Sequence, residues 1–224
     1  MRKIFLILLL GSLFTTTFAQ AKDFTKKSDT DPAATAVLEK MKTKYDAYKT
    51  LEANFEIIIE IPEQAKEVQK GKLLQMGEKY RLNLEGQIIV SDGTSLWYYS
   101  ERREEVQIND VEESEGEVMS PKDLMRIYES EDYVYFLTNE MAENGKIIQQ
   151  IEFKPLDSDS EYSKLRLTVD KKTQEILRIK AFSKDGSRYT FILKDVVPNK
   201  PYSDTLFKFQ KSECPNCHWE DLRI

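Results

Sequence analysis

The chain reads as mainly β with a small helical share (α+β): an antiparallel sheet that curls around one or two helices. Three observations predict this. Apolar-alternating segments recur along the chain, most plainly from Lys79 to Val106, where Glu85-Gly86 and Asp92-Gly93 separate three of them. Further turn signals stand at Asn144-Gly145, Asp157–Asp159, Asp170-Lys171 and Asp185-Gly186. Two segments show helical spacing, each opened by a cap residue and a proline, Asp31-Pro32 and Ser120-Pro121.

The first residues are a secretory leader. Met1-Arg2-Lys3 is basic, Ile4 to Phe14 is apolar, and small residues follow up to Ala21. The run is short of the ~20 predominantly apolar residues of a membrane span. We expect residues 1–21 to be a cleaved signal peptide, 22–30 a flexible leader and 31–224 one domain. Without Arg2 and Lys3 the chain carries 31 basic against 39 acidic side chains, a net charge of −8. That balance argues against nucleic acid and against attraction to anionic lipid.

Behind Asp31, the residues Val37, Leu38, Met41, Tyr45 and Tyr48 recur at helical spacing up to Leu51. Phe55, Ile57, Ile59 and Ile61 then alternate with polar residues, Ile58 excepted, until Pro62. Glu63 to Gln69 is a polar turn. Strands are expected over Lys70–Met76, Lys79–Leu84, Gln87–Ser91, Ser95–Ser100 and Glu104–Ile108. Asn109 to Met119 is an acidic, solvated connection. A short helix follows, with Leu124, Ile127 and Tyr128 on its apolar side. The second half returns to strands at Tyr133–Thr138, Lys146–Lys154, Lys164–Asp170, Glu175–Phe182, Arg188–Val196 and Leu206–Phe209.

Little here suggests bond chemistry. The chain's one histidine, His218, stands near the end of the sequence, a poor place for a catalytic triad. No glycine-rich phosphate loop is present. Acidic residues are so many that no single pair is informative. Cys214-Pro215-Asn216-Cys217-His218 spells the c-type haem attachment signature, which leaves a haem electron-transfer protein as an alternative. The plainer reading is a small Cys214–Cys217 disulfide bracing a turn into the last strand. No metal site and no cofactor are expected.

Residues 89–99, Ile-Val-Ser-Asp-Gly-Thr-Ser-Leu-Trp-Tyr-Tyr, carry a family pattern, S-D-G-x-x-L-W-x-Y. Gly71-Lys72-Leu73 and Lys79-Tyr80-Arg81 before it, Val106-Gln107 after it, and the late Phe207 and Phe209 fit as well. With these residues the chain resembles the periplasmic outer-membrane lipoprotein carrier (LolA-like) family. The resemblance implies an unclosed antiparallel β half-barrel with helices covering its concave face. It also implies a periplasmic carrier that binds lipoprotein acyl chains. Cargo would come from an inner-membrane lipoprotein-releasing transporter and go to an outer-membrane receptor. A monomer is expected. Phe55, Ile57, Ile59, Tyr80, Leu82, Leu84 and Trp97 are the candidate lining, and Leu124, Ile127 and Tyr128 the candidate cover. One departure stands out. Members have an Arg-Pro pair before the aromatic, and that Arg holds the helical lid. Here Met76-Gly77 occupies the place. A second alternative is therefore an extracytoplasmic sensor of the same fold that binds lipid or lipoprotein.

Overall fold

The computed structural model describes residues 26–111 and 130–223. The helix α1 (Pro32–Asp46) precedes six strands: β1 (Leu51–Glu60), β2 (Glu67–Met76), β3 (Lys79–Leu84), β4 (Gln87–Ser91), β5 (Ser95–Ser100) and β6 (Glu105–Asp110). Five more follow, β7 (Tyr133–Glu143), β8 (Lys146–Pro155), β9 (Tyr162–Asp170), β10 (Ile176–Ser183) and β11 (Arg188–Pro198), and then β12 (His218–Asp221). The expected signal peptide, the expected second helix with Leu124, Ile127 and Tyr128, and most of the expected acidic connection lie outside the described residues.

The twelve described strands form one unclosed sheet in the order β12-β6-β5-β4-β3-β2-β1-β11-β10-β9-β8-β7. Every pairing is antiparallel except β12 with β6, which is parallel. The helix lies on one face, here called the inner face. It starts where the cap predicts: Asp31 Oδ1 accepts the Ala33 N–H at 2.9 Å. The other oxygen accepts from Leu137 N at 3.1 Å, and the Asp31 N–H donates to the Tyr135 carbonyl. One aspartate thus caps the helix and ties it to the edge of β7. Residues 26–30, expected to be loose, include a 3-10 turn (Lys27–Asp29), and Lys27 bonds the Ser130 carbonyl.

Ala34, Val37, Leu38 and Met41 form the buried stripe of α1 and pack with alternate residues of the strands. Leu51, Ala53 and Phe55, Leu73, Leu165, Leu167 and Val169 belong to that same cluster. The helix ends at Asp46, before the expected limit at Leu51, which instead opens β1 opposite Gln75. Tyr45 explains part of this: its hydroxyl accepts the Ile176 N–H at 3.0 Å, which pins the last turn to β10. Burial pushes the Tyr45 hydroxyl pKa well above its ordinary value.

Turn chemistry matches the sequence. Asn144 and Gly145 both have positive φ, +48° and +76°, as a two-residue turn between Glu143 and Lys146 requires. At Asp92-Gly93 the Asp92 carboxylate accepts from Thr94 N at 3.0 Å and Ser95 N at 2.9 Å.

The expected strand Leu206–Phe209 is corrected. Asp204–Phe207 is a 3-10 turn capped by Ser203. Its phenylalanines are fixed by packing rather than by a ladder. It belongs to a strap, residues 199–223, that crosses the outer face. Phe207 and Phe209 are buried there, Phe209 among Val90, Trp97 and Val106. Tyr99 stacks on Phe209 with ring centroids 5.2 Å apart, and Trp219 lies 5.8 Å from it. Cys214 and Cys217 form a disulfide against this cluster, and β12 then pairs with β6.

The strap is also anchored electrostatically. At its start, Glu52 of β1 accepts from Lys200 Nζ at 2.9 Å and the Tyr202 hydroxyl, beside Lys72 Nζ at 2.8 Å. Lys72, Tyr202 and Lys200 bring the Glu52 pKa from 4.5 down to about 2. Burial and the neighbouring carboxylate push Tyr202 up to about 12. A depressed carboxylate stabilises the fold above its unfolded pKa and loses that contribution as pH falls through the folded one. Glu52→Gln is therefore expected to melt below the parent at pH 7. The gap should narrow between about pH 4.5 and about pH 2, and thermal melts across that range measure it. A gap that stays constant across the series would mean Glu52 is not the acid-sensitive anchor.

Candidate functional site

The inner face is unevenly buried. Some of its side chains, in one cluster with the α1 stripe, are buried: Phe55 is 2% exposed, Leu73 0%, Tyr80 7% and Leu96 5%. Others, Ile57, Ile59, Leu82, Leu84, Ile89, Tyr98 and Phe191, are half-buried. Tyr189 is 37% exposed. These residues are neighbours through the ladder. Ile57 stands opposite Phe191 and Ile59 opposite Tyr189. Leu82 stands opposite Ile89, and Ile89 opposite Tyr98. The result is an apolar floor in which filled and half-open positions adjoin: wholly buried Leu73 stands opposite half-buried Leu82.

The candidates divide accordingly. Leu82 and Leu84 on β3 and Ile57 and Ile59 on β1 are half-open positions of one face, with β2 between the two pairs. Phe55 and Tyr80 lie on the same face but are buried. Trp97 is a correction: it packs with Val90, Val106 and Phe209 on the outer face. Strict alternation on β5 puts Leu96 and Tyr98 inside, and Trp97 and Tyr99 outside. Sequence reasoning missed Ile89, Tyr98, Phe191 and Tyr189. The signal for Ile89 and Tyr98 was present. Glu85-Gly86 turns β3 onto β4 and Asp92-Gly93 turns β4 onto β5, and counting on from Leu82 across both turns places Ile89 and Tyr98 on the Leu82 face.

The rim beside the floor is polar. A recess of about 810 Å³ is lined by Tyr98 together with Glu85, Glu101, Arg102 and Arg103. Among the described residues no group of His, Cys, Asp and Glu has the arrangement to hold a metal ion. No described helix is long and apolar enough to cross a membrane. What the floor offers chemically is apolar surface next to charged rim groups.

The profile of the family described as outer membrane lipoprotein carrier protein LolA matches residues 46–210. This chain belongs to that family. Among solved structures, an uncharacterized conserved protein from Thermus thermophilus is similar at 11% identity and a TM-score of 0.57, over 84% of this chain and 99% of the other. A DUF1329 family protein from Desulfovibrio piger is 15% identical with a TM-score of 0.49, over 83% and 100% of the two chains. A LolA superfamily protein from Nitrosomonas europaea is 14% identical with a TM-score of 0.42, over 79% and 97%. At these identities the likeness is one of fold. No curated protein matches the chain in sequence.

Met76 pairs with Lys79 across Gly77, whose φ is +59°. The nearby arginine, Arg81, points to the outer face. It pairs with Glu213 of the strap, and its guanidinium sits 6.0 Å from the Phe209 ring centroid. Arg81 therefore secures the strap on the outside, and no inner-face role transfers to it.

Proposed function

We propose that this chain is an exported, periplasmic carrier that holds the acyl chains of lipoproteins against the half-open inner floor. Residues 1–21 act as the cleaved leader in this reading, and the remainder works as one domain. An inner-membrane lipoprotein-releasing transporter supplies the cargo and an outer-membrane receptor accepts it. The observation that carries the reading is the uneven burial of the inner face. A filled core would bury Ile57, Leu82, Leu84 and Ile89 as completely as it buries Phe55 and Leu73. Instead they are left half-buried, Leu82 between the wholly buried Leu73 and the half-buried Ile89. Each acyl CH₂ laid on that floor gains about 0.8 kcal/mol, so a short stretch of one chain supplies useful affinity.

The test is direct. Full-length protein is expressed in a lipoprotein-producing cell, and native mass spectrometry of the exported form is expected to show retained di- or triacylated species. The purified protein is also expected to lift lipoproteins from spheroplasts. A protein that does neither is not a carrier. The Met76-Gly77 turn, which lacks the family's lid-holding arginine, favours a second reading as a lipid- or lipoprotein-binding sensor of the same fold. Deletion would then alter envelope stress signalling and leave lipoprotein sorting intact.

A further inference from the structure

The strap divides the outer face in two. Its hydrogen bonds and ion pairs go to β1, β3, the β4–β5 turn, β5 and β6, through Glu52, Lys79, Arg81, Asp92, Ser95 and Glu104. It stops short of β9 and β10, and there the outer face changes character. One cross-strand row reads Lys164, Phe182, Arg188 and Glu60. The next reads Glu152, Arg166, Lys180 and Thr190.

Four cations converge on one ring. Lys164 Nζ is 5.0 Å from the Phe182 centroid, Arg166 Cζ 5.2 Å, Lys180 Nζ 5.6 Å and Arg188 Cζ 6.0 Å. Two carboxylates share them. Glu152 takes Lys164 at 2.9 Å together with Arg166, and Glu60 takes Lys180 at 3.1 Å. Burial opposes ionisation of Glu152, but Arg166 and Lys164 outweigh it and hold its carboxyl below the usual value. The ring quadrupole helps to keep like charges together. Four cations against two carboxylates still leave a positive field, in a chain whose net charge without the leader is −8. The patch lies next to an open part of the inner face, since the Glu60–Arg188 rung adjoins that of Ile59 and the 37%-exposed Tyr189.

We infer that the Lys164, Arg166, Lys180 and Arg188 patch around Phe182 is a docking surface for an extended acidic segment of a partner protein. Spacing and charge both favour such a segment over a lipid surface. Lys164 and Arg166 stand two residues apart on one strand, roughly 6.8 Å, and carboxylates that alternate along an extended peptide repeat at the same interval. Lys180 and Arg188 add cations on the next two strands. A lipid surface has no fixed spacing, and it would bring the whole acidic chain against a plane of like charge. A peptide meets only the patch, within a Debye length of about 8 Å. The inference does not depend on what lies on the inner floor.

A labelled twelve-residue peptide of alternating Glu and Ser, titrated against the full chain, tests it. Binding is expected at low salt and should weaken about tenfold by roughly 0.3 M salt. Lys164→Gln/Arg188→Gln is expected to weaken it about tenfold, with thermal melts confirming the fold. Lys40→Gln/Lys49→Gln removes the same charge elsewhere and is expected to leave binding unchanged. Cargo retention by the patch variant should match the parent, which separates this test from that of the carrier reading. Absence of peptide binding, equal losses in both double variants, or capture by phosphatidylglycerol vesicles that the peptide fails to displace would each overturn the inference.

Discussion

Gly71→Ala is expected to destabilise the fold by about 3 kcal/mol, the upper end for overpacking a well-filled core. A Cβ at this position would lie 2.4 Å from Cζ of Phe55 and 2.6 Å from the Asn83 carbonyl oxygen. Neither neighbour has room to retreat. Phe55 is 2% exposed and its ring lies 5.1 Å from that of Phe191. The Asn83 oxygen is backbone in β3, which is paired on both sides. Gly71 directly opposes Phe55 in the ladder, so the ring folds over the space where a side chain would be. Denaturant melts measure the effect. Phe55→Leu in the Gly71→Ala background is expected to recover part of the loss and not all of it, because the carbonyl clash remains. A Gly71→Ala protein within about 0.5 kcal/mol of the parent would mean that the ring is free to move.

Leu82→Glu is expected to cost cargo affinity far more than stability. Leu82 is half-buried on the open floor, so the carboxylate swings toward water and the fold loses about 1 kcal/mol. An acyl chain laid on the same floor would meet a charge it cannot solvate, and retention of acylated species should fall at least about tenfold. Leu73→Ala gives the contrast. Leu73 is wholly buried, and its truncation should cost about 2–5 kcal/mol in stability. Molecules that do fold should still bind. Equal losses of binding and stability for Leu82→Glu would make Leu82 ordinary core. Native mass spectrometry and thermal melts on the same preparations decide between the two.

Much of this architecture was legible because it is local. Alternation set the strands, Asp31-Pro32 started the helix, and Asp92-Gly93 and Asn144-Gly145 set two hairpins. The half-open floor was legible in part, since Ile57, Ile59, Leu82 and Leu84 follow from period two. What was hidden depends on distant chain. Alternation says that Trp97 and Tyr98 face opposite ways, but only the strap, more than a hundred residues later, makes the Trp97 side a filled one. The same holds for Phe207 and Phe209, whose spacing mimics a strand although a packed turn carries them. Phe55 and Tyr80 read like floor residues because burial by α1 and neighbouring strands leaves no trace in their own segments.

The pairing of β1 with β11 has a consequence for how the protein must be made. Among the described strand pairings it alone joins β1–β6 to β7–β11, and it sets Leu51 beside Pro198 and Glu60 beside Arg188, more than half the chain apart. Chain delivered from its N-terminus offers β1 an open edge until nearly everything else has arrived. Non-local pairing of this kind slows folding and prolongs the exposure of sticky strand edges. Delivery in that order places a demand of its own on this chain: its first strand has to be shielded from unrelated neighbours until its eleventh comes through.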